Sequence, residues 1–207
     1  MRKKVKLVCG VGINDAEEPV QKRSACIRED GRKVYKLDWC CDFYCTWTRM
    51  LSRCYSEKSL ARLPTYIGCP VCDDWWKLSN FKEWMNNQKW EGLELDKDIL
   101  YRGNKVYSPE TCVFVEARVN SFILDRRHSK YDLPPGVSYY KRYGKYQAQC
   151  KSFAGVDTFL GYHGTPEEAH QAWLSFKLEQ AKLLAAEQDD PRVAKALIDR
   201  YENYKAA

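Results

Sequence analysis

The sequence predicts an α+β chain, in which a β-hairpin-then-helix region precedes a three-stranded antiparallel sheet packed on a helix. Three observations lead there. Leu93, Leu95, Lys97 and Ile99 alternate with Glu94, Asp96 and Asp98, a second apolar run follows at Cys112-Val113-Phe114-Val115, and Val119, Phe122 and Ile123 recur at helical spacing, which spells strand, strand, helix. Aromatic and polar residues alternate from Val137 to Lys151 around Tyr143-Gly144-Lys145, and Phe159-Leu160-Gly161-Tyr162 reads as a third strand. Thr165-Pro166-Glu167-Glu168 then opens a helix, with Thr165 as N-cap, Pro166 at the first helical position and Glu168 closing a capping box.

The earlier elements follow from local signals. Asp30-Gly31 between Cys26-Ile27 and Val34-Tyr35 predicts a hairpin. Trp47, Met50, Leu51 and Cys54 place one apolar face on a helix over Thr46 to Tyr55. A second helix is expected from Ser79 to about Gln88, with Ser79 as N-cap and Phe81, Trp84 and Met85 on its apolar side. Beyond Leu133-Pro134-Pro135-Gly136, a rigid turn or linker, the helix after Thr165 carries Ala169, Ala172, Trp173 and Phe176 as its packing stripe, and a charged helix from Pro191 to about Tyr204 ends the chain. The expected divisions are a β-rich extension over residues 1–45, the hairpin–helix region over 46–132, the sheet module over 133–186 and a terminal helix over 187–207.

With 207 residues, 44% of them hydrophobic and 30% charged, the composition is that of a soluble folded protein with room for two modest cores. The basic start Met1-Arg2-Lys3-Lys4 lacks the apolar run of a signal peptide, and no stretch is long enough to span a membrane, so an intracellular chain is expected and its ten cysteines are read as reduced. Most of them fit small core positions. The net charge of +6 is unevenly placed: residues 116–151 hold eight Lys or Arg against three acids, interleaved with five tyrosines. A polyanion partner accounts for that stretch, as does an ordinary solvated basic face.

Asp96 sits on the first strand of the hairpin–helix region and Asn120 about one turn into its helix, a pattern that suits one divalent ion held by oxygen donors, Mg2+ or Mn2+ in preference to zinc. Leu95-Asp96-Lys97-Asp98-Ile99-Leu100, then Gly103-Asn104-Lys105-Val106-Tyr107-Ser108-Pro109-Glu110-Thr111-Cys112-Val113-Phe114-Val115 and Asn120, resemble the HNH (ββα-metal) homing-type endonucleases of phages, and the likeness extends upstream through Trp47-Thr48-Arg49-Met50-Leu51-Ser52-Arg53-Cys54-Tyr55 and Pro64-Thr65-Tyr66. The resemblance implies Asp96 and Asn120 as metal ligands, Lys97 at the position of the general-base histidine and Thr111 at that of the central asparagine. Asp98 joins them as a candidate catalytic carboxylate; its bland alternative, shared by Asp96, is a solvated strand acid. Lysine in place of histidine favours a fixed cation that orients water and meets developing charge over a proton acceptor. His128, which follows Arg126-Arg127, is a reserve base. Cys69-Pro70-Val71-Cys72 has the spacing of half a zinc site, but a second pair with that spacing is absent, which leaves structural Zn2+ as the lesser reading.

Gly136-Val137, Tyr143-Gly144-Lys145-Tyr146-Gln147-Ala148, Phe159-Leu160-Gly161-Tyr162 and Thr165-Pro166-Glu167-Glu168-Ala169 resemble the APETALA2/ethylene-response-factor type of DNA-binding domain over about forty residues. That resemblance implies a sheet laid in the major groove with the helix behind it. Ser138, Tyr140, Arg142, Gln149, Lys151, Phe159 and Tyr162 would then face DNA, with Arg142, Lys145 and Lys151 suited to phosphates. Tyr146, Leu160, Trp173 and Phe176 fit the core instead. Together the resemblances imply a phage-encoded endonuclease acting on double-stranded DNA in the host cytoplasm, as a nicking monomer or a double-strand-cutting homodimer. A catalytically silent DNA-binding regulator with the same sheet is the alternative from another class, and RNA cleavage fits a sheet suited to B-form grooves less well.

Overall fold

The computed structural model describes residues 6–124 and 133–204, and the chain divides into two compact units, one of Met1–Lys97 with Gly103–Phe114 and the other of Asp98–Arg102 with Val115–Ala207. Both mix helices with small sheets, so the α+β class holds. The division falls inside the expected hairpin–helix region, and the terminal helix belongs to the same unit as the three-stranded sheet. No helix among the described residues is long and apolar enough to cross a membrane.

The first unit opens on a tight turn in which Val8 and Gly12 exchange backbone hydrogen bonds of 2.8 Å each. Gly12 is fitted to its place, because a Cβ there would lie 2.4 Å from Leu51 Cδ1 and 2.8 Å from the Trp47 ring. The expected hairpin forms from β1 (Gln21–Ile27) and β2 (Lys33–Cys40), with Gly31 in the left-handed region at φ +76°. Helix α1 (Asp42–Tyr55) buries Trp47, Met50, Leu51 and Cys54, the face that their spacing predicts, and starts at Asp42 rather than Thr46 because Phe43 and Tyr44 also pack on the core. A short α2 (Glu57–Arg62), a 3-10 turn (Asp73–Trp76) and α3 (Leu78–Asn86) follow. Trp75, Phe81 and Trp84 meet α1 in an aromatic core, with Trp75 edge-on to Phe81 at 5.1 Å and Trp84 stacked on Phe114 at 5.6 Å.

Three expectations about this unit need correction. Ser79 is not the N-cap of α3, which begins one residue earlier behind Lys77; its amide and hydroxyl instead donate to Asp15, at 2.9 and 2.6 Å, so the cap comes from a residue 64 positions upstream. The first strand of the hairpin–helix region is only β3 (Glu94–Asp96), paired with β4 (Val113–Val115), because Lys97 turns into contacts with Asn104 and Ile99 buries its side chain in the second unit. The thiols are not all reduced: Cys40 and Cys45 form a disulfide, because β2 runs straight into α1 and the corner brings their Cα atoms to 6.3 Å.

Asp15 also carries a pH prediction. Partial burial opposes its charged form, but the two bonds from Ser79 and the field of Lys77 outweigh that and leave its carboxyl below the usual range. A lowered folded-state pKa means that the contact stabilises above the unfolded-state value and is lost as pH falls through the folded one. Asp15→Ala should therefore cost about 1 kcal/mol at neutral pH, the usual worth of a cap. The difference from wild type should close below roughly pH 4. Thermal melts across pH check this, and a gap that persists into acid would refute it.

In the second unit, β5 (Val137–Tyr140), β6 (Lys145–Lys151) and β7 (Asp157–His163) form an antiparallel sheet in that order. Helix α5 (Pro166–Ala186) covers one face, and its predicted capping box is present: Glu168 N donates to Thr165 Oγ1 at 3.2 Å while the Glu168 carboxylate accepts from Thr165 N. Val137, Ala148 and Ala169 form the sheet–helix core, with Tyr146, Leu160 and Ala172 against it. Helix α6 (Pro191–Glu202), capped by Asp190, buries Val193, Leu197 and Tyr201, and the short α4 (Ala117–Phe122) buries Val119 and Phe122.

The α5 stripe departs from expectation in one place. Phe176 is only half-buried, and the next core position after Trp173 is Lys177, 6% exposed. Helical spacing puts residue 177 one turn below Trp173, so position overrides residue type. The cost of burying the ammonium is offset locally: Nζ donates to Phe122 O at 2.5 Å and lies 3.9 Å from the Phe122 ring and 5.5 Å from that of Tyr201.

Candidate functional site

Register decides which side chains of the sheet face outward. Directly opposed residues in an antiparallel pair share a face. Ser138 opposes Gln147, Gln147 opposes Tyr162, Tyr140 opposes Lys145, Gln149 opposes Phe159 and Lys151 opposes Asp157. The predicted strand residues Ser138, Tyr140, Lys145, Gln149, Lys151, Phe159 and Tyr162 therefore lie on one face, opposite to the Val137–Ala148–Gly161 row that meets α5. Phe159 and Tyr162 are three apart and would alternate in a regular strand. They share the face because the register shifts beside Ala148, where Gly161 adopts φ +112°.

The face is aromatic at one end. Tyr140, Tyr143 and Tyr162 have mutual centroid distances of 5.2 Å, and Phe159 lies 5.1 Å from Tyr162. Tyr143 and Phe159 stay more than half exposed, an uncommon outlay of apolar surface unless something covers it. Arg142, in the β5–β6 turn, lies over the Tyr143 ring at 5.7 Å. Desolvation, and after it the neighbouring Tyr140 and Tyr143 phenols, raise the Tyr162 phenol above its ordinary value, so it is a neutral donor at physiological pH. The arrangement offers rings for stacking or thymine-methyl contact, amides for base edges and cations for phosphates.

The candidate cutting residues fall in both units. Asp96 ends β3 in the first unit, while Asp98 and Asn120, the latter in α4, belong to the second. Lys97 Nζ donates to Asn104 O at 3.1 Å and lies 5.7 Å from the Tyr66 ring, while Asn104 Nδ2 donates back to Lys97 O at 2.6 Å. Thr111 turns its hydroxyl into its own loop, donating to Val106 O at 2.8 Å and lying 3.2 Å from Ser108 Oγ. The contact that clamps Lys97 thus comes from Asn104. His128 lies outside the described residues. Of the other histidines, His170 holds Pro135 O at 3.0 Å and stacks on Trp173, a structural duty.

No group of three or more His, Cys, Asp or Glu able to hold a metal occurs among the described residues. Cys69 is buried with its thiol directed at Thr65 O, and burial raises the thiols of Cys72 and, up to about 12, of Cys54 and Cys112. Comparison of the chain with protein-family models, curated proteins and solved structures gives no match. The site therefore rests on its own geometry.

Sequence reading passes over Gln147, Tyr143 and Asn104. Gln147 was within reach, since period-two alternation places it between Lys145 and Gln149. Tyr143 and Asn104 sit in turns, where no periodicity marks a side chain's direction.

Proposed function

We propose that this chain is a metal-dependent DNA endonuclease that engages double-stranded DNA through the exposed face of β5, β6 and β7. The observation that carries the reading is that face itself, where four clustered rings lie beside Arg142, Lys145, Lys151, Gln147 and Gln149, with α5 closing the reverse side. A sheet so covered has one face left for a partner, and its cations and amides match a phosphate-flanked groove.

For the cutting half, the support is the order β3, β4, α4 and the chemistry of the donors. Asp96, at the end of β3, supplies a carboxylate, which fits Mg2+ or Mn2+, a hard ion that keeps several waters and takes substrate phosphate as ligand. When bound, such an ion polarises the phosphodiester and makes a water more acidic. Lys97, clamped by Asn104 and set over the Tyr66 ring, has the surroundings of a fixed cation and would stabilise charge building on the phosphate.

The same environment favours a second reading, a DNA-binding regulator that does not cut, because a clamped lysine is a poor proton acceptor. A supercoiled-plasmid assay separates the two. Mg2+-dependent nicking by wild type, abolished by chelator and by Asp96→Ala while DNA affinity stays within about twofold, is the expected result. Undiminished cleavage by Asp96→Ala would remove Asp96 from the site, and tight binding without any nicking by wild type would leave the regulator.

A further inference from the structure

We infer that the cleft between α1 and α2 in the first unit is a phosphate-binding site, which in the endonuclease reading above, on which this part rests, holds a backbone phosphate of bound DNA. The cleft has a volume of about 530 Å3 and is lined by three arginines, Arg49, Arg53 and Arg62, and three hydroxyls, those of Thr48, Ser52 and Ser59. No carboxylate among the described residues lines it.

The local structure explains how these groups meet. Arg49, Ser52 and Arg53 stand at i, i+3 and i+4 on α1, hence on one helical face. Ser59 and Arg62 stand three apart on α2, and Ser52 Oγ lies 2.9 Å from Ser59 Oγ, which ties the two helices at the cleft floor. Cys9, held at φ +50° in the Val8–Gly12 turn, adds a wall. Arg53 is half-buried, within the fields of Tyr107 and Glu94. Arg49 and Arg62 are exposed and make no ion pair with a described residue.

Three arginines lining one cleft without a lining counter-charge repel one another, and an anion bound there relieves that repulsion. Guanidinium forks, together with the one hydroxyl proton that the Ser52–Ser59 pair leaves over while Thr48 donates to Tyr44 O at 2.8 Å, suit an oxyanion with several acceptor oxygens, which is phosphate in preference to chloride or a carboxylate. The position also suits the proposed reaction. The Tyr66 ring lies under Arg53 at 5.9 Å and under Lys97 at 5.7 Å, so the cationic cleft leads to the residue beside Asp96.

The test uses the full chain and the double variant Arg49→Gln/Arg62→Gln, whose side chains are exposed, with Lys145→Ala/Lys151→Ala on the sheet face as a comparison. Inorganic phosphate, against acetate at equal ionic strength, should raise the melting temperature of wild type and not that of the arginine variant. DNA affinity should fall with salt for wild type, and each lost phosphate contact removes about 0.9 from the log–log slope. The arginine variant should lose about 1–2 from that slope on every DNA sequence tested. Loss of the phosphate effect with an unchanged DNA slope would assign the site to free phosphate and overturn the backbone assignment. Loss of neither, while the sheet-face variant still weakens DNA binding, overturns the inference and leaves the DNA reading standing. No DNA binding by wild type would refute that reading and the backbone assignment with it, and the phosphate melts would then decide the anion site alone.

Discussion

Gly136→Ala is expected to destabilise the second unit by about 2–5 kcal/mol and to weaken DNA binding with it. Two costs combine at this position. Gly136 has φ +78°, a conformation that costs an L-residue about 1–2 kcal/mol. A Cβ there would also lie 1.9 Å from Trp173 Cδ1, and overpacking of that kind adds about 1–3 kcal/mol. Trp173 has little room to yield, being stacked on His170 at 5.2 Å and edge-on to Tyr201 at 6.3 Å. Because Gly136 immediately precedes β5 and its carbonyl accepts from Gln149 N at 2.9 Å, a shift there displaces the sheet that carries the proposed DNA face. Gly144→Ala supplies the control: φ is +59° but the nearest atom is 3.9 Å away, so only the backbone cost applies. Equal melting temperatures for the two variants would overturn the packing argument.

Trp47→Ala should cost the first unit about 3–5 kcal/mol, the range for emptying a buried tryptophan site. Trp47 is fully buried at the centre of α1, its ring lies against Gly12, and its Nε1 donates to Trp75 O at 2.6 Å. Truncation removes the packing and strips that carbonyl of its indole donor together. Trp47→Phe separates the terms, since it keeps much of the apolar volume but not the bond, and about 1–3 kcal/mol is expected for the carbonyl left behind. Urea denaturation of both variants measures the difference. A Trp47→Phe variant as unstable as Trp47→Ala would show that the hydrogen bond, and not the volume, dominates.

The parts legible in the sequence are those governed by neighbours in the chain. Asp30-Gly31 announces a hairpin because few dipeptides accept its turn, and Thr165 to Glu168 announces a helix because the capping box closes within four residues. The sheet face was legible for the same reason: alternation alone separates Tyr140, Lys145, Gln149 and Lys151 from Val137 and Ala148. Where one element is capped or buried by a distant one, the local signal misleads. Ser79 has the composition of an N-cap and is itself held by Asp15, and Lys177 has the composition of a surface residue and sits in a ring-lined interior.

The amino-acid sequence by itself therefore determined the hairpin at Asp30-Gly31, the starts of α5 and α6 and the faces of β5 and β6, since dihedral preference and side-chain periodicity act over a few residues. Only the tertiary structure decided that Gly161 bends β7 so that Phe159 joins Tyr162, that Asn104 clamps Lys97, and that Arg49, Arg53 and Arg62 line one cleft. Each of these depends on where chain segments cross, and free energies of packing between segments leave no period in the sequence to read.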